Sequence, residues 1–387
     1  MTGTNRIPWS RLVRALRAAA AAIVLVSLTI GLSGAWWEDW FGGNGSTEPA
    51  QERLPQGDTV TNPKTLLRRA LPIDSEPARE FERHVEETVR LLRRRRWGAI
   101  EQNLQQAARL LRDRRSALMA DVPQQHQAAA QELLPQLRSQ LQQVEAAVAD
   151  RDVERVRDER RELLERFDRL AEQMVAAFPY AIPERFDHLP RLKGRATVEL
   201  ETTQGTMTVV ADGYSAPLTA GNFVDLVDRG FYDGLPFHRV RDFLAQTGNP
   251  QGAETGFIDP ETGQERTVPL EIFVRGDRRP SYGQTLEEAG RYQAQPVLPF
   301  SANGTVALAR PSDDPNGGSS QFFLLKYDSE LTPPGFNVMD GRYAAFGYTI
   351  QGDEILQDLQ EGDKIRSARV VRGLDDLVRP QGAPQTR

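Results

Sequence analysis

The sequence predicts a multidomain α + β chain: an N-terminal helical bundle followed by a closed or nearly closed β-barrel capped by helices. Two changes of texture carry this expectation. From residue 64 to 178 glycine nearly vanishes and apolar residues recur at helical spacing. From 192 to 378 they come instead in short runs separated by glycine and proline. The length of 387 residues accommodates about two to three domains.

Residues 1–35 read as a signal peptide or a membrane anchor. Arg6, Arg11, Arg14 and Arg17 precede an apolar run from Ala18 to about Leu32, and Ser33, Gly34 and Ala35 supply small residues for cleavage. The rival anchor would use Trp36, Trp37 and Trp40 as an interfacial belt. Either reading places the rest of the chain outside the cytosol. Residues 36–63, rich in Gly, Ser, Pro and charge, have the composition of a flexible linker.

The bundle is expected over 64–178. Phe81, Val85 and Leu92 begin one stripe, and Ile100, Leu104, Ala108 and Leu111 continue it. Leu133 through Val148 and Val153 through Met174 add two more. Pro123 and Pro135 mark helix starts or breaks. The stripes drift from strict heptads, which favours an intramolecular core over a coiled coil. The run Arg93–Arg96 could grip phosphate or anionic lipid. With Glu82, Glu86 and Glu87 nearby, it reads more simply as a solvated helix face.

Residues 179–191, with three prolines, form a connector. The alternation in ATVELETTQGTMTVV around Gln204 and Gly205 predicts a hairpin, and Phe223, Leu226 and Val227 a short helix. FHRV, TVPLEIFV, GTVALA, QFFLL, YAAFGYTI and KIRSARVV are strand-like, and Ile355, Leu356 and Leu359 suggest another helix. The tail, 379–387, is expected to fray.

Composition excludes much chemistry. Without cysteine there are no disulfides or thiolates. His84, His126, His188 and His238 lack ligand-like spacing, so no metal site is expected. No cofactor motif stands in its required context: GNPQG and PNGGSSQ lack the strand–loop–helix setting of a nucleotide cradle. A net charge of −6 argues against a dedicated nucleic-acid binder. What remains is a set in or beside strand-like runs: Phe237, Arg239, Phe243, Gln246, Ala309, Gln321, Phe323, Met339 and Tyr343. Together they suit an apolar groove with one cation and two amides, fit for a peptide. Singly, each phenylalanine reads as core and the arginine as a rim charge.

APLTAGNFVDLVDRGFYDGLPFHRV, DFLAQTGNPQG, GTVALARP, GSSQFFLL and DGRYAAFGYTIQGDEILQDL occur in the order that resembles the cyclophilin peptidyl-prolyl isomerases, over roughly 192–375. The resemblance implies an eight-stranded barrel with two helices over 192–378. It also implies isomerase activity on proline-containing polypeptides, with Arg239 as catalytic residue. Phe243, Leu244, Phe323 and Met339 would wall the proline pocket. Gln246 would orient Arg239, Ala309 and Gln321 would line the neighbouring groove, and Tyr343 would close it.

Four departures stand out. Three residues, not the usual four, separate Arg239 from Phe243; Arg310 replaces a usual asparagine, Val338 a tryptophan of animal members, and Tyr343 a frequent histidine. The stretch from Pro250 to Phe300 is long and suggests an inserted loop. Signal, bundle and barrel in this order resemble the multidomain cyclophilins of the thylakoid lumen and their cyanobacterial relatives. That resemblance implies an exported protein of the lumen or periplasm, membrane-associated only through a retained N-terminal segment. Photosystem II subunits are the implied partners, with the bundle engaging partners or regulating the site. The alternative it carries is a largely non-catalytic assembly factor.

Overall fold

The structure, a computed structural model, describes residues 60–250, 252, 255–326 and 337–380. The expected leader, nearly all of the linker and most of the tail lie outside the described residues.

Helix α1 (Pro63–Ala70) opens the described chain. Asn62 caps it, its side chain accepting from Thr65 N at 3.0 Å. Four long helices then pack as a bundle: α2 (Glu76–Arg93), α3 (Trp97–Asp113), α5 (Gln127–Ala149) and α6 (Val153–Gln173), with the short α4 (Arg115–Ala120) between α3 and α5. Ser75 and Asp152 cap α2 and α6. The apolar stripes converge on one core around Phe81 and Phe167, whose rings lie 4.9 Å apart.

Two local expectations change. Pro135 lies inside α5 and does not break it. The apolar face through Leu134, Leu137, Leu141 and Val144 is wholly buried, and that packing outweighs the lost hydrogen bond. The arginine run is a turn, not a helix face: Arg93 ends α2 and Arg94–Arg96 are exposed, with Arg95 at φ 50°. Its expected partners serve elsewhere, Glu82 with Arg79, Glu86 with Arg68 and Arg69, Glu87 with Arg90.

The second part is an eight-stranded antiparallel sheet. Its members are β2 (Arg195–Thr202), β3 (Thr206–Asp212), β4 (Arg239–Arg241), β5 (Leu244–Thr247), β8 (Thr305–Leu308), β9 (Phe322–Leu325), β10 (Ala345–Gln351) and β11 (Ile365–Arg372). Their order is β11-β2-β3-β10-β8-β9-β5-β4. Pairing of the segments before β4 and β11 brings the sheet's ends together, with Gly234 N donating to Ile365 O at 2.7 Å and Phe237 N to Asp363 O at 2.7 Å. The pair β1 (Arg191–Leu192) and β12 (Leu377–Val378) ties the ends of this part. Helix α7 (Pro217–Asp228) packs Phe223, Val224 and Val227 into the interior. The second expected helix is a single 3₁₀ turn, Asp353–Gln357. TVPLEIFV yields only the two-residue strand β6 (Glu271–Ile272), paired with β7 (Ser281–Tyr282). Its apolar residues pack the insertion onto the barrel instead.

Beyond the sheet, Asp225 is fully buried and gathers Arg229, Arg266 and Arg379. It thereby fixes helix, insertion and the first tail residue to one point. Glu271 caps the start of α7, accepting from Thr219 N at 2.9 Å and Leu218 N at 3.1 Å.

The two parts are bolted through α1. Its apolar residues Leu66, Leu67 and Ala70 pack on Val210, Leu298, Ala302 and Tyr348 of the barrel. Its Arg68 turns to the bundle, donating to Asp168 Oδ2 and Glu86 Oε1 at 3.0 Å each. From β2, Arg195 donates to Leu67 O and, at 3.2 Å, to Asp212 Oδ1. Burial opposes the charge of Arg195, but Asp212 holds its pKa above the ordinary range. Replacing Arg195 by Met strands the buried Asp212 carboxylate. Urea unfolding of Arg195→Met should therefore show a loss of about 3–5 kcal/mol; a loss below about 1 kcal/mol would show that the bolt is dispensable.

Candidate active site

Strand register builds the site. Arg239 lies opposite Gln246, Gln246 opposite Phe323, and Phe323 opposite Ala307. Directly opposed residues share a face, so these four form one row across β4, β5, β9 and β8. Their neighbours Ala245, Phe322, Leu324 and Val306 point the other way, into the barrel interior. The row therefore lies on the outer face.

The turn between β4 and β5 is only two residues, Asp242 and Phe243, because Arg241 pairs with Leu244. Arg241 is held by Glu361, whose pKa is lowered first by that hydrogen bond. Arg239 is exposed, and among the described residues its guanidinium has no carboxylate partner. Its backbone is placed by register, its donors are free, and Gln246, expected to orient it, bonds Gln321 instead.

Beside it runs a chain of amides. Gln246 Nε2 donates to Gln321 Oε1 at 2.8 Å, and Gln321 Nε2 donates to Asn249 Oδ1 at 3.0 Å and Thr255 O at 2.7 Å. Ala309 N donates to Gln321 O at 2.9 Å, bringing Ala309 to the same edge.

The apolar wall is one cluster: Leu244, Phe300, Ala307, Phe323 and Leu325, with Ala309, Met339 and Tyr343 packed against it. Tyr343 meets Phe323 edge-on at 5.4 Å. Phe300 stacks on the same ring at 6.1 Å. Phe323 is consequently only 3% exposed. A prolyl ring can reach it only by displacing neighbours.

The structure thus brings together Arg239, Leu244, Gln246, Ala309, Gln321, Phe323, Met339 and Tyr343. It does not bring in Phe243, which sits in the turn, 47% exposed and outside the cluster. The missing residue explains this: a two-residue turn leaves Phe243 no strand position from which to face the wall. Phe237 belongs to the barrel core, at 0% exposure, and takes no part in a groove. Val338 is exposed.

Three contributors escape sequence reasoning. Phe300 comes from the end of the insertion, where no periodicity marks it. Asp340 holds it, accepting from Phe300 N at 2.8 Å and from Asn337 N at 3.2 Å. Arg310 lies over the Tyr343 ring, 5.3 Å from its centroid, with its donors on Arg342 O and Pro311 O. Only Arg310 left a signal, as a departure from the expected residue.

Sequence comparison agrees with this architecture. The profile of the cyclophilin-type peptidyl-prolyl cis-trans isomerases matches residues 197–375. The profile of the CYP38-like, PsbQ-like domain matches 62–175. The chain belongs to the cyclophilin-type peptidyl-prolyl cis-trans isomerase family, with the CYP38-type PsbQ-like domain at its N-terminal side. It is 50% identical over 326 residues to a Synechocystis protein whose name describes it as a thylakoid lumen peptidyl-prolyl cis-trans isomerase (sll0408), covering 84% of this chain and 86% of that one. It is 42% identical over 338 residues to the chloroplastic isomerase CYP38 of Arabidopsis thaliana, covering 84% and 77%. Among the described residues no helix is long and apolar enough to cross a membrane.

The role of Asp340 gives the site a pH signature. Burial pushes its carboxyl up to about 6, against the pull of the Phe300 and Asn337 amides. The folded value exceeds the unfolded one of about 3.9, so the fold favours the protonated form. That stability is fully present below about pH 4 and lost as pH rises through about 6. Asp340→Asn keeps an acceptor without the charge, so its stability should fall less than the parent's between about pH 4 and about pH 7. Thermal melts across that range check this; parallel curves would contradict it.

Proposed function

We propose that this chain catalyses cis–trans isomerisation of X-Pro bonds in exported or thylakoid-lumen proteins, with its helical bundle engaging partners. The observation that carries the reading is the free Arg239 guanidinium aligned in one row with Gln246 and Phe323.

The chemistry asks for little else. Rotation about an X-Pro bond is slow because amide resonance opposes it, with a barrier of about 20 kcal/mol. No bond is made or cut, so neither nucleophile nor acid–base pair is needed. A donor placed at the prolyl nitrogen stabilises the pyramidal, twisted amide over the planar one. Arg239 has donors to spare for that role. The Gln246–Gln321 chain offers amides to the peptide backbone, and Leu244, Phe323, Met339 and Tyr343 form the wall for the ring. Residence in the lumen is supported by the names of the two relatives above.

One observation favours a second reading, an assembly factor for photosynthetic membrane complexes that binds without turning over. Phe243 stands away from the wall, and Phe323 is covered by its own neighbours. The two readings part at Arg239. Exchange spectroscopy on a proline-containing peptide should show acceleration by the full chain, reduced about 100-fold in Arg239→Ala. Equal exchange with both proteins would leave the binding role alone.

A further inference from the structure

Between the bundle and the barrel lies a cleft of about 1070 Å³, bounded by α1, α2 and α6 and closed from the barrel side by Arg275, Ile350 and Asp353. Eleven of its lining residues are Lys or Arg and five are Asp or Glu, in a chain whose net charge is −6. Arg68, Arg157 and Arg161 also pair with acids outside this lining, Asp168, Glu154 and Asp158, which leaves a smaller local excess of positive charge.

The carboxylates are already engaged. Arg79 holds Glu82, Arg68 and Arg69 hold Glu86, Lys64 holds Glu165 and Arg90 holds Glu87, while Asp353 accepts from Asn303 Nδ2 at 3.2 Å. Several cations are not engaged in this way. Arg83 and Arg93 have no carboxylate partner among the described residues, and both are exposed. Arg160 donates only to the carbonyls of Val85 and Glu86, and Arg275 only to that of Val297. Burial lowers Arg160 to about 10, with Glu86 opposing the shift and Arg68 adding to it. Arg83, Arg93 and Arg275 are thus exposed cations with no carboxylate partner among the described residues, a state that an anion relieves.

Shape narrows the ligand. From Arg79 to Arg93 the wall follows α2 for fourteen residues, about 21 Å. That is far longer than a single phosphate. The site is concave, so a bilayer surface cannot enter it. No aromatic side chain lines it, which removes the stacking platform expected for single-stranded nucleic acid.

The geometry points to a docking site for an acidic segment of a partner polypeptide, about six residues long when extended. Carboxylates of the segment would meet Arg83 and Arg93 on the α2 wall and Arg275 on the barrel wall.

Fluorescence anisotropy with the full chain and a labelled peptide of alternating aspartate and glutamate tests this. Saturable binding is expected, weakened at least about tenfold between about 0.05 M and about 0.5 M salt. The double variant Arg83→Glu/Arg93→Glu should weaken it at least about tenfold, and Arg275→Glu should do so from the opposite wall. All three side chains are exposed, and circular dichroism confirms that the variants fold. Arg239→Ala should leave this binding unchanged, which separates it from the isomerase site. Absence of saturable binding, or binding indifferent to both variants, overturns the proposal. So does tighter binding, with the same sensitivity, of phosphatidylglycerol vesicles or an oligonucleotide.

Discussion

The buried guanidinium of Arg195 is the constraint on which the arrangement of parts depends. It belongs to β2, neutralises Asp212 on β3, and donates to the Leu67 carbonyl of α1. A buried carboxylate and a helix-terminal carbonyl are thus satisfied by one side chain. With Leu67 fixed, the next residue, Arg68, has one direction available, toward Asp168 and Glu86 of the bundle. Arg372 and Glu172 add a second, exposed link at 3.1 Å, which salt would screen and which contributes little alone. The bundle's position on the barrel therefore follows from α1, an eight-residue helix whose apolar side belongs to one part and whose charged side belongs to the other.

At the candidate site, the placing of side chains follows chiefly from strand register. Arg239, Gln246 and Phe323 are aligned because three consecutive strands pair without a bulge between them. A tight two-residue turn secures the cation's place. The same turn removes Phe243 from the wall, and Phe300 occupies the apolar space from another direction. Arg239 thus keeps its donors exposed while the apolar space beside it is filled by Phe300.

Much of this was legible in the sequence. Bundle stripes repeat at 3.6 residues over long helices, and strands alternate about glycines, so burial on one face leaves a periodic trace. The ordered motifs around Arg239, Gln246 and Phe323 fixed the barrel, and with it the row. What was not legible has no local signature. Pro135 argues locally for a break that burial of the surrounding face overrides. α1 reads as the first bundle helix because periodicity shows that a face is apolar but not what it will meet. Phe300 and Asp340 matter through a contact forty residues apart, which no spacing rule addresses. The arginine run looked paired because glutamates lay at helical distance; α1 took one of those glutamates from outside the helix.

The basic cleft and the candidate site around Arg239 and Phe323 share one piece of backbone. Ser301 Oγ donates to Val60 O at the cleft's rim, while the adjacent Phe300 packs on Phe323 in the site. Contiguity of this kind transmits a signal only where the linking element has two arrangements to choose between. Here it has one. Phe300 is 1% exposed, its N–H is taken by Asp340 and its carbonyl by Asn337 Nδ2 at 2.9 Å. Pro299, beside it, accepts from the Tyr348 hydroxyl at 2.8 Å. A closely packed side chain and a backbone with both polar groups engaged hold the segment in this arrangement. The 298–302 segment is a brace between the two surfaces.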